Sequence, residues 1–205
     1  MNRIIVFALM FFCMTMQIEA QTLSEEEVTA KMYQAFELNK AAKKAEALEL
    51  FLIVGENTKQ QRNEGERQVY VCSQTMACQC YELLGRYKEG YLLGKSLLQG
   101  KLNDTERKDV GHLYAMNGYM YACEFIQRDE KGRADYKRGR ELISEILPYS
   151  DGQVKEYAET KIPLSWYFEG AQYAMTQSYD EALSSYEEAL NGFRDLGRVS
   201  EEVDV

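Results

Sequence analysis

Cysteine and histidine side chains can bind zinc, and three of the cysteines in this chain lie in one short segment. Cys72, Cys78 and Cys80 have the spacing Cys-x5-Cys-x-Cys, while Cys123 and the single histidine, His112, lie further along. On one helix, ligands at this spacing point in different directions and do not form the tetrahedral set that zinc requires. We therefore expect no metal site.

Motifs for catalysis are also missing from the sequence. It contains no P-loop, no Gly-rich dinucleotide turn, no G-x-S-x-G and no pair of histidines on one helix face. The carboxylates lie on the outer faces of predicted helices, where solvation is the ordinary explanation. His112 could titrate as a pH-sensitive contact, although a lone histidine is more often a surface or rim residue. We expect neither enzymatic activity nor a cofactor.

The first twenty residues predict a signal peptide. Arg3 gives a basic start, Ile4 to Met16 form an apolar run of 13 residues, and Ile18-Glu19-Ala20 resembles a cleavage site. The run is too short to span a bilayer comfortably, and no later segment approaches 18 apolar residues. We expect residues 21–205 to be exported to the periplasm or cell envelope of a bacterium, without membrane insertion once the signal peptide is removed.

Export affects the interpretation of the cysteines, because disulfides persist in oxidising compartments. Cys78 and Cys80 are two apart on a predicted helix and cannot pair with each other. A disulfide between Cys80 and Cys123, on adjacent repeats, is conceivable. Buried free thiols are the more common arrangement in a helical protein.

The charge of the chain excludes one class of partner. Its net charge is −9 and its pI is near 4.9, whereas nucleic-acid binding needs a basic stripe. Residues 163–205 hold nine Asp and Glu against two Arg, a net charge of −7. We interpret this acidic surface as a solvated convex face rather than as an acidic docking surface.

One stretch, residues 163–196, shows how the helices are organised. Trp166, Gly170 and Tyr173 fit the pattern W-x2-L-G-x2-Y, and Ala182 and Tyr186 follow as A-x3-F with an aromatic exchange. The segment resembles a tetratricopeptide repeat, a pair of antiparallel helices. It departs from the family at two positions, since Glu169 replaces Leu and Arg194 replaces Pro.

The pattern also has a physical basis. Apolar residues recur at helical spacing on one stripe, which consists of Tyr179, Ala182, Leu183, Tyr186, Ala189, Leu190 and Phe193. Ser178 and Glu181 predict a capping box at the start of the second helix. Gly197 predicts that this helix ends at a residue with a left-handed backbone conformation. One such pair cannot bury its apolar face alone, so further pairs are required.

Weaker copies occur upstream. Tyr114, Gly118 and Tyr121 repeat the spacing of the clearest repeat, and four helical hairpins are predicted at about 24–60, 66–100, 104–147 and 153–196. Residues 198–205 would begin a further helix that the chain cuts short. Repeat starts at Val28, Val71, Gly111 and Pro163 give spacings of 43, 40 and 52, longer than the standard 34. The resemblance implies an all-α, right-handed solenoid of stacked antiparallel helical hairpins, of the long-period bacterial type.

Several local expectations follow. Ser24 with Glu27 predicts a capping box, and Asn103 or Asp104 a second helix cap. Gly90 and Gly94 predict either tight helix contact or local weakness. Pro163 should kink its helix or restart it.

The resemblance further implies a concave groove built from the first helix of each hairpin. Its lining positions would be Cys72, Thr75, Gln79, Glu82, Leu83, His112, Ala115, Tyr119, Ala122, Cys123, Leu164, Tyr167, Ala171, Ala174 and Met175. Within this set the candidate binding residues are Gln79, Glu82, His112, Tyr119, Tyr167 and Met175. Such a surface suits an extended peptide or a helix. Alternatively, Tyr119 and Tyr167 pack between repeats.

Two functional hypotheses remain. In the first, the chain is an exported domain that binds a peptide, a protein segment or a second copy of itself, as the sensory or scaffolding N-terminal region of a longer envelope signalling protein. In the second, it is a free-standing periplasmic adaptor or accessory subunit without an effector domain.

Overall fold

A computed structural model describes residues 23–127, 132 and 134–197 of the chain. The predicted signal peptide (1–20) and the predicted further helix (198–205) lie outside the described residues. Within the described part, the secondary structure consists of eight α-helices and one short 3-10 turn, with no strands. The prediction of an all-α fold is confirmed.

The helices follow one another along the chain and pack in neighbouring pairs. Their bounds are α1 Glu25–Lys40, α2 Lys44–Thr58, α3 Glu64–Leu83, α4 Tyr87–Leu98, α5 Asp104–Ile126, α6 Tyr136–Ile146, α7 Gly152–Met175 and α8 Tyr179–Asp195, with the 3-10 turn at Leu147–Tyr149. Helix α3 also packs on α5, and α5 on α7. The first helices of the last three pairs therefore lie beside one another.

The same tight turn joins the two helices in three of these pairs. A residue in the left-handed region is followed by a residue whose backbone N–H donates to the carbonyl five positions earlier. The left-handed residues are Ala42, Gly85 and Gln177, with φ of 60°, 70° and 62°. The bonds are Lys43 to Leu38 at 2.9 Å, Arg86 to Tyr81 at 2.9 Å and Ser178 to Tyr173 at 3.0 Å. This repetition of the backbone is independent of the aromatic motif.

The predicted caps have different outcomes. Ser24 and Glu27 form the expected reciprocal capping box, and Asn103 forms another with Glu106. The capping box at Ser178 is wrong, because the Ser178 side chain makes no cap hydrogen bond. The reason is the shared turn, which holds ψ of Ser178 at 72° instead of the 161° found at Ser24. Gly197, with φ of 68°, has the left-handed conformation expected after α8.

Pro163 does not restart its helix, contrary to one of the two expectations. Helix α7 runs without interruption from Gly152 to Met175 with Pro163 inside it. Residues on both sides of the proline are buried, including Val154, Ala158 and Ser165. Burial of both halves compensates for the backbone hydrogen bond that proline removes.

The core is made of side chains held between adjacent helices. The largest cluster contains residues of α4, α5, α6 and α7. Leu142, Ile143 and Ile146 lie in it and are fully buried. Tyr114 and Tyr81 are buried as well, at 2% and 9% exposure. Close approach of α4 and α5 is achieved at Gly94, where a Cβ would lie 3.0 Å from that of Tyr114. Of the two expectations for this glycine, the structure shows tight helix contact.

Candidate functional site

The candidate site is the surface formed by the first helices α3, α5 and α7. On α3, Gln79 and Glu82 are half-buried, and Leu83 at the helix end is 55% exposed. Burial raises the pKa of the Glu82 carboxyl, and the positive charge available at His112 opposes that rise. Glu82 and His112 therefore lie within electrostatic range across the α3–α5 boundary.

His112 lies at the rim of this surface. Its side chain is exposed, and its Nδ1 lies 3.0 Å from the Asp151 carboxylate, which precedes the first residue of α7. The imidazole thus connects α5 to the start of α7. Both partners are about half exposed, so water screens the interaction and its contribution to stability is below about 1 kcal/mol.

Three of the expected groove positions on α5 do not face an open surface. Ala115 and Ala122 are fully buried in a cluster that α4, α5, α6 and α7 share, and Cys123 is 8% exposed. His112 and Tyr119 are the two groove positions of this helix that reach solvent. These three positions therefore cannot line an open groove.

Tyr119 lies beside a depression on the surface of α7. Its ring stacks on that of Tyr157 of α7, with centroids 6.3 Å apart and an interplanar angle of 27°. Burial raises the pKa of the Tyr119 hydroxyl well above its usual range, and the neighbouring Cys123 thiol adds to that rise. A cavity of about 330 Å³ adjoins the pair and is lined by Tyr119, Glu156, Tyr157, Thr160, Lys161 and Leu164.

This cavity combines apolar and polar groups in a small volume. The Tyr157 ring is 53% exposed and offers a flat apolar surface. Lys161 adds a positive charge, and Thr160 adds a hydroxyl at the same wall. Such a combination suits a ring or aliphatic side chain of a peptide that carries an acceptor beside it.

Tyr167 and Met175 lie elsewhere. The Tyr167 ring is 5.8 Å from Tyr186 of α8 and 5.7 Å from Phe168, so it packs within its own helix pair. Met175, at the last position of α7, is 75% exposed. Eighteen residues separate it from Tyr157, a distance of about 27 Å along a helix. The predicted site is therefore divided into two regions that the structure does not bring together.

The division results from the register of α7 against α5. Repeat alignment from Pro163 predicts Ala171 opposite Tyr119, whereas the structure places Tyr157 there. The last repeat spacing exceeds the one before it by twelve residues, and Gly152–Ile162 adds about three turns to the beginning of α7. Tyr157, Thr160 and Lys161 are the residues that the sequence reasoning missed. The long last spacing was the signal that could have revealed them.

A second group of polar residues lies between α6 and α7. The Arg140 guanidinium is 3.3 Å from the centroid of the Trp166 ring and donates to Glu169 at 2.7 Å and to Ser165 at 3.4 Å. Arg140 is 8% exposed. This contact explains why Glu169 replaces the leucine of the repeat pattern. Because the ion pair is satisfied within the fold, we interpret it as a structural contact.

The thiols of the described cysteines are all free. Cys78, Cys80 and Cys123 are buried, and Cys72 is exposed. The open possibility of a Cys80–Cys123 bridge is thus not realised in the structure, where Cys80 packs against α1 and α2. Burial raises the pKa of Cys78 to about 12, so this thiol is protonated at neutral pH.

The part of the chain that the structure describes shows neither a metal centre nor a membrane span. No group of three or more His, Cys, Asp or Glu side chains in this part of the chain is arranged to hold a metal ion. No helix in the same part is both long and apolar enough to cross a bilayer. Comparison of the whole chain with protein-family models, curated proteins and solved structures gives no match in any of the three.

Proposed function

We propose that the chain is an exported protein-interaction domain in which tetratricopeptide-like helix pairs stack as a right-handed solenoid. The aromatic and small-residue pattern, the turn shared by three pairs and the side-by-side first helices support this arrangement. The apolar run of residues 4–16 and the small residue at Ala20 support export.

The proposed ligand is a peptide or a segment of a protein partner, bound along α3, α5 and α7. The observation that carries this proposal is the cavity beside the stacked Tyr119 and Tyr157 rings, with Lys161 on its wall. An exposed aromatic ring next to a charged group gives both contact area and orientation to a peptide side chain. Glu82 and His112 extend the same surface toward α3.

Selection of peptides against the mature chain tests this function. A displayed library of random peptides is selected on residues 21–205, and the enriched sequences are measured by isothermal titration calorimetry. Replacement Tyr157→Ala should weaken binding at least about tenfold, because it removes the exposed aromatic surface. Lys161→Glu should weaken binding of any selected peptide that contains an acidic side chain.

The matched control is Tyr33→Ala. Tyr33 is 71% exposed on α1, outside the proposed surface. This variant should bind the selected peptides as the wild-type protein does. Peptides that bind equally well to the Tyr157→Ala protein would place the binding surface elsewhere, and a library without any enriched sequence would argue against peptide binding as the function.

A further inference from the structure

Helix α8 has an apolar stripe that the described helices cover only in part. The stripe consists of Tyr179, Leu183, Tyr186 and Leu190, which recur at steps of four, three and four residues and so share one side of the helix. Tyr179 is 68% exposed and Leu183 is 60% exposed. The other two are half-buried, and the Tyr186 ring contacts Tyr167 of α7.

The second helices of the other pairs carry equivalent positions, and their burial can be compared with that of the α8 stripe. Each of these helices, and α8 as well, has a buried small residue at its fourth position, namely Ala47, Gly90, Gly139 and Ala182. The next residue is then equivalent in all four helices. It is Leu48 at 3% exposure, Tyr91 at 3%, Arg140 at 8% and Leu183 at 60%. Leu183 is the exception.

In the first three pairs, the following first helix covers the equivalent residue. Leu48 shares a buried cluster with Ala77, Cys80 and Tyr81 of α3. The Tyr91 ring stacks on Tyr114 of α5, with centroids 5.3 Å apart. Arg140 lies over Trp166 of α7. Each of these covers is an α-helix, so the exposed part of the α8 stripe is suited to packing against another helix.

Charges beside Leu183 define the chemistry of such a helix. Asp180 and Glu187 lie three residues before and four residues after Leu183, on the same side of α8, and both are exposed. A helix placed on the stripe brings its own flank against these carboxylates. Basic residues on that flank are favoured, and acidic ones are repelled.

A second copy of the chain fits this surface poorly. Two α8 helices facing each other would place Asp180 and Glu187 against the same carboxylates of the partner, which is unfavourable. Helix α1 is the other first helix that could cover α8. A residue of α1 is equivalent to the residue of α3 that lies 43 positions later. At the positions where α3 has the buried Ala77 and Cys80, α1 has the exposed Gln34 and Glu37. These polar groups would lose water on docking.

We propose that the stripe of α8 is a second interaction surface, separate from the cavity at Tyr119, and that it binds a basic amphipathic helix of a different protein. The bound helix takes the place that α3, α5 and α7 take on the preceding pairs. Its small and apolar residues cover Leu183 and Tyr186, and its Lys or Arg residues pair with Asp180 and Glu187.

Two synthetic peptides test this proposal on the mature chain, residues 21–205. Both are amphipathic helices of about 20 residues with the same Ala and Leu face, one flanked by lysines and the other by glutamates. Fluorescence anisotropy should show binding of the lysine peptide and weaker binding of the glutamate peptide. Leu183→Glu should weaken binding of the lysine peptide at least about tenfold. The double replacement Asp180→Lys and Glu187→Lys should make the protein bind the glutamate peptide more tightly than the lysine peptide.

The control variant is Leu92→Glu, since Leu92 is 50% exposed on α4 and lies outside the stripe. Circular dichroism checks that each variant retains its helix content. Equal binding of both peptides, or binding that Leu183→Glu leaves unchanged, overturns the proposal. A dimer in sedimentation velocity that Leu183→Glu dissociates would make a second copy the occupant. Peptide binding that requires prior removal of residues 198–205 would make the chain's own terminal segment the occupant.

Discussion

The side-chain amide of Asn117 fills the space beside Gly90 where any other residue would have its Cβ. A Cβ built on Gly90 would lie 2.2 Å from Oδ1 of Asn117. The Asn117 amide nitrogen donates to the carbonyls of Leu113 at 2.9 Å and of Cys78 at 3.3 Å, and its side chain is fully buried. This one pair of residues therefore brings α3, α4 and α5 together.

Replacement Gly90→Ala should destabilise the protein by about 1–3 kcal/mol, because the added methyl group forces the buried amide to move. Asn117→Ala alone should also destabilise it, through loss of two hydrogen bonds and creation of a void. The double variant should cost less than the sum, since the methyl group enters the vacated space. Urea unfolding of the four proteins measures this coupling.

Gly111→Ala is the control for this prediction. A Cβ on Gly111 would meet the Tyr149 ring at 3.4 Å, an ordinary contact, in the same helix as Asn117. We expect this variant to be neutral or stabilised by up to about 1 kcal/mol. Additive effects of the Gly90 and Asn117 replacements would contradict the geometry described here.

Glu145 should make a pH-dependent contribution to stability. Tyr114 donates to its carboxylate at 2.6 Å, Tyr91 at 3.0 Å and the Lys95 ammonium at 2.7 Å. Although burial raises the pKa of Glu145, hydrogen bonds from Lys95, Tyr114 and Tyr91 together lower it below the ordinary 4.5. The stabilisation is thus present above that value and is lost as pH falls through the lowered pKa of the folded state.

Accordingly, Glu145→Gln should cost about 1 kcal/mol at neutral pH, a value reduced by the partial exposure of this carboxylate. The difference from wild type should shrink as pH falls below 4.5, through the lowered pKa of the folded state. Urea unfolding across this range measures it. Glu141→Gln, at an exposed pair with Arg138, is the control and should change the stability little, because water screens an exposed ion pair. A pH-independent difference would mean that the charge of Glu145 plays no part.

Replacing only one partner of the Arg140–Glu169 ion pair should lower the free energy of unfolding. Both side chains are largely buried, at 10% and 17% exposure. Glu169→Gln removes the charge that compensates the guanidinium, and we expect a loss of about 2–3 kcal/mol. Arg140→Leu with Glu169→Leu should recover most of this loss, since no buried charge remains. A double variant that is less stable than Glu169→Gln in urea unfolding would be inconsistent with this account.

The shared turn predicts opposite effects at two equivalent positions. Ala42 and Gly85 both have left-handed backbone, at φ of 60° and 70°, and nothing lies within 4 Å of a Cβ placed on Gly85. Ala42→Gly should therefore stabilise the protein, and Gly85→Ala should destabilise it, each by about 1 kcal/mol. Thermal unfolding of both variants checks the signs. The same sign for both would show that the turns are not equivalent.

Thiol labelling should distinguish one cysteine from the other three of residues 21–205. Cys72 is exposed, and Cys78, Cys80 and Cys123 are buried. A maleimide or Ellman reagent should label one thiol of the folded protein, and Cys72→Ser should abolish that labelling. The buried thiols should react only after unfolding, when their pKa values fall to the ordinary range. Rapid labelling of the Cys72→Ser protein would indicate local opening of the helix packing.

Much of the local structure could be predicted from the sequence. Helical spacing of apolar residues and the caps at Ser24 and Asn103 depend on neighbours within a few positions, so they can be predicted directly from the order of residues. The small residues Gly94 and Gly170 likewise marked places of close contact, because a missing side chain has few other uses inside a helix. Ser178 failed as a capping box since the turn before it constrains its backbone.

The sequence by itself determined that this chain forms paired helices with small and aromatic residues at their contacts. Tertiary structure alone decided that Tyr157 rather than Ala171 lies against Tyr119, that Glu169 pairs with Arg140, and that no helix of the described part of the chain buries Leu183. The physical reason is that helix periodicity fixes which face of a helix is apolar, whereas the axial position of one helix against another depends on side chains that are distant in the sequence.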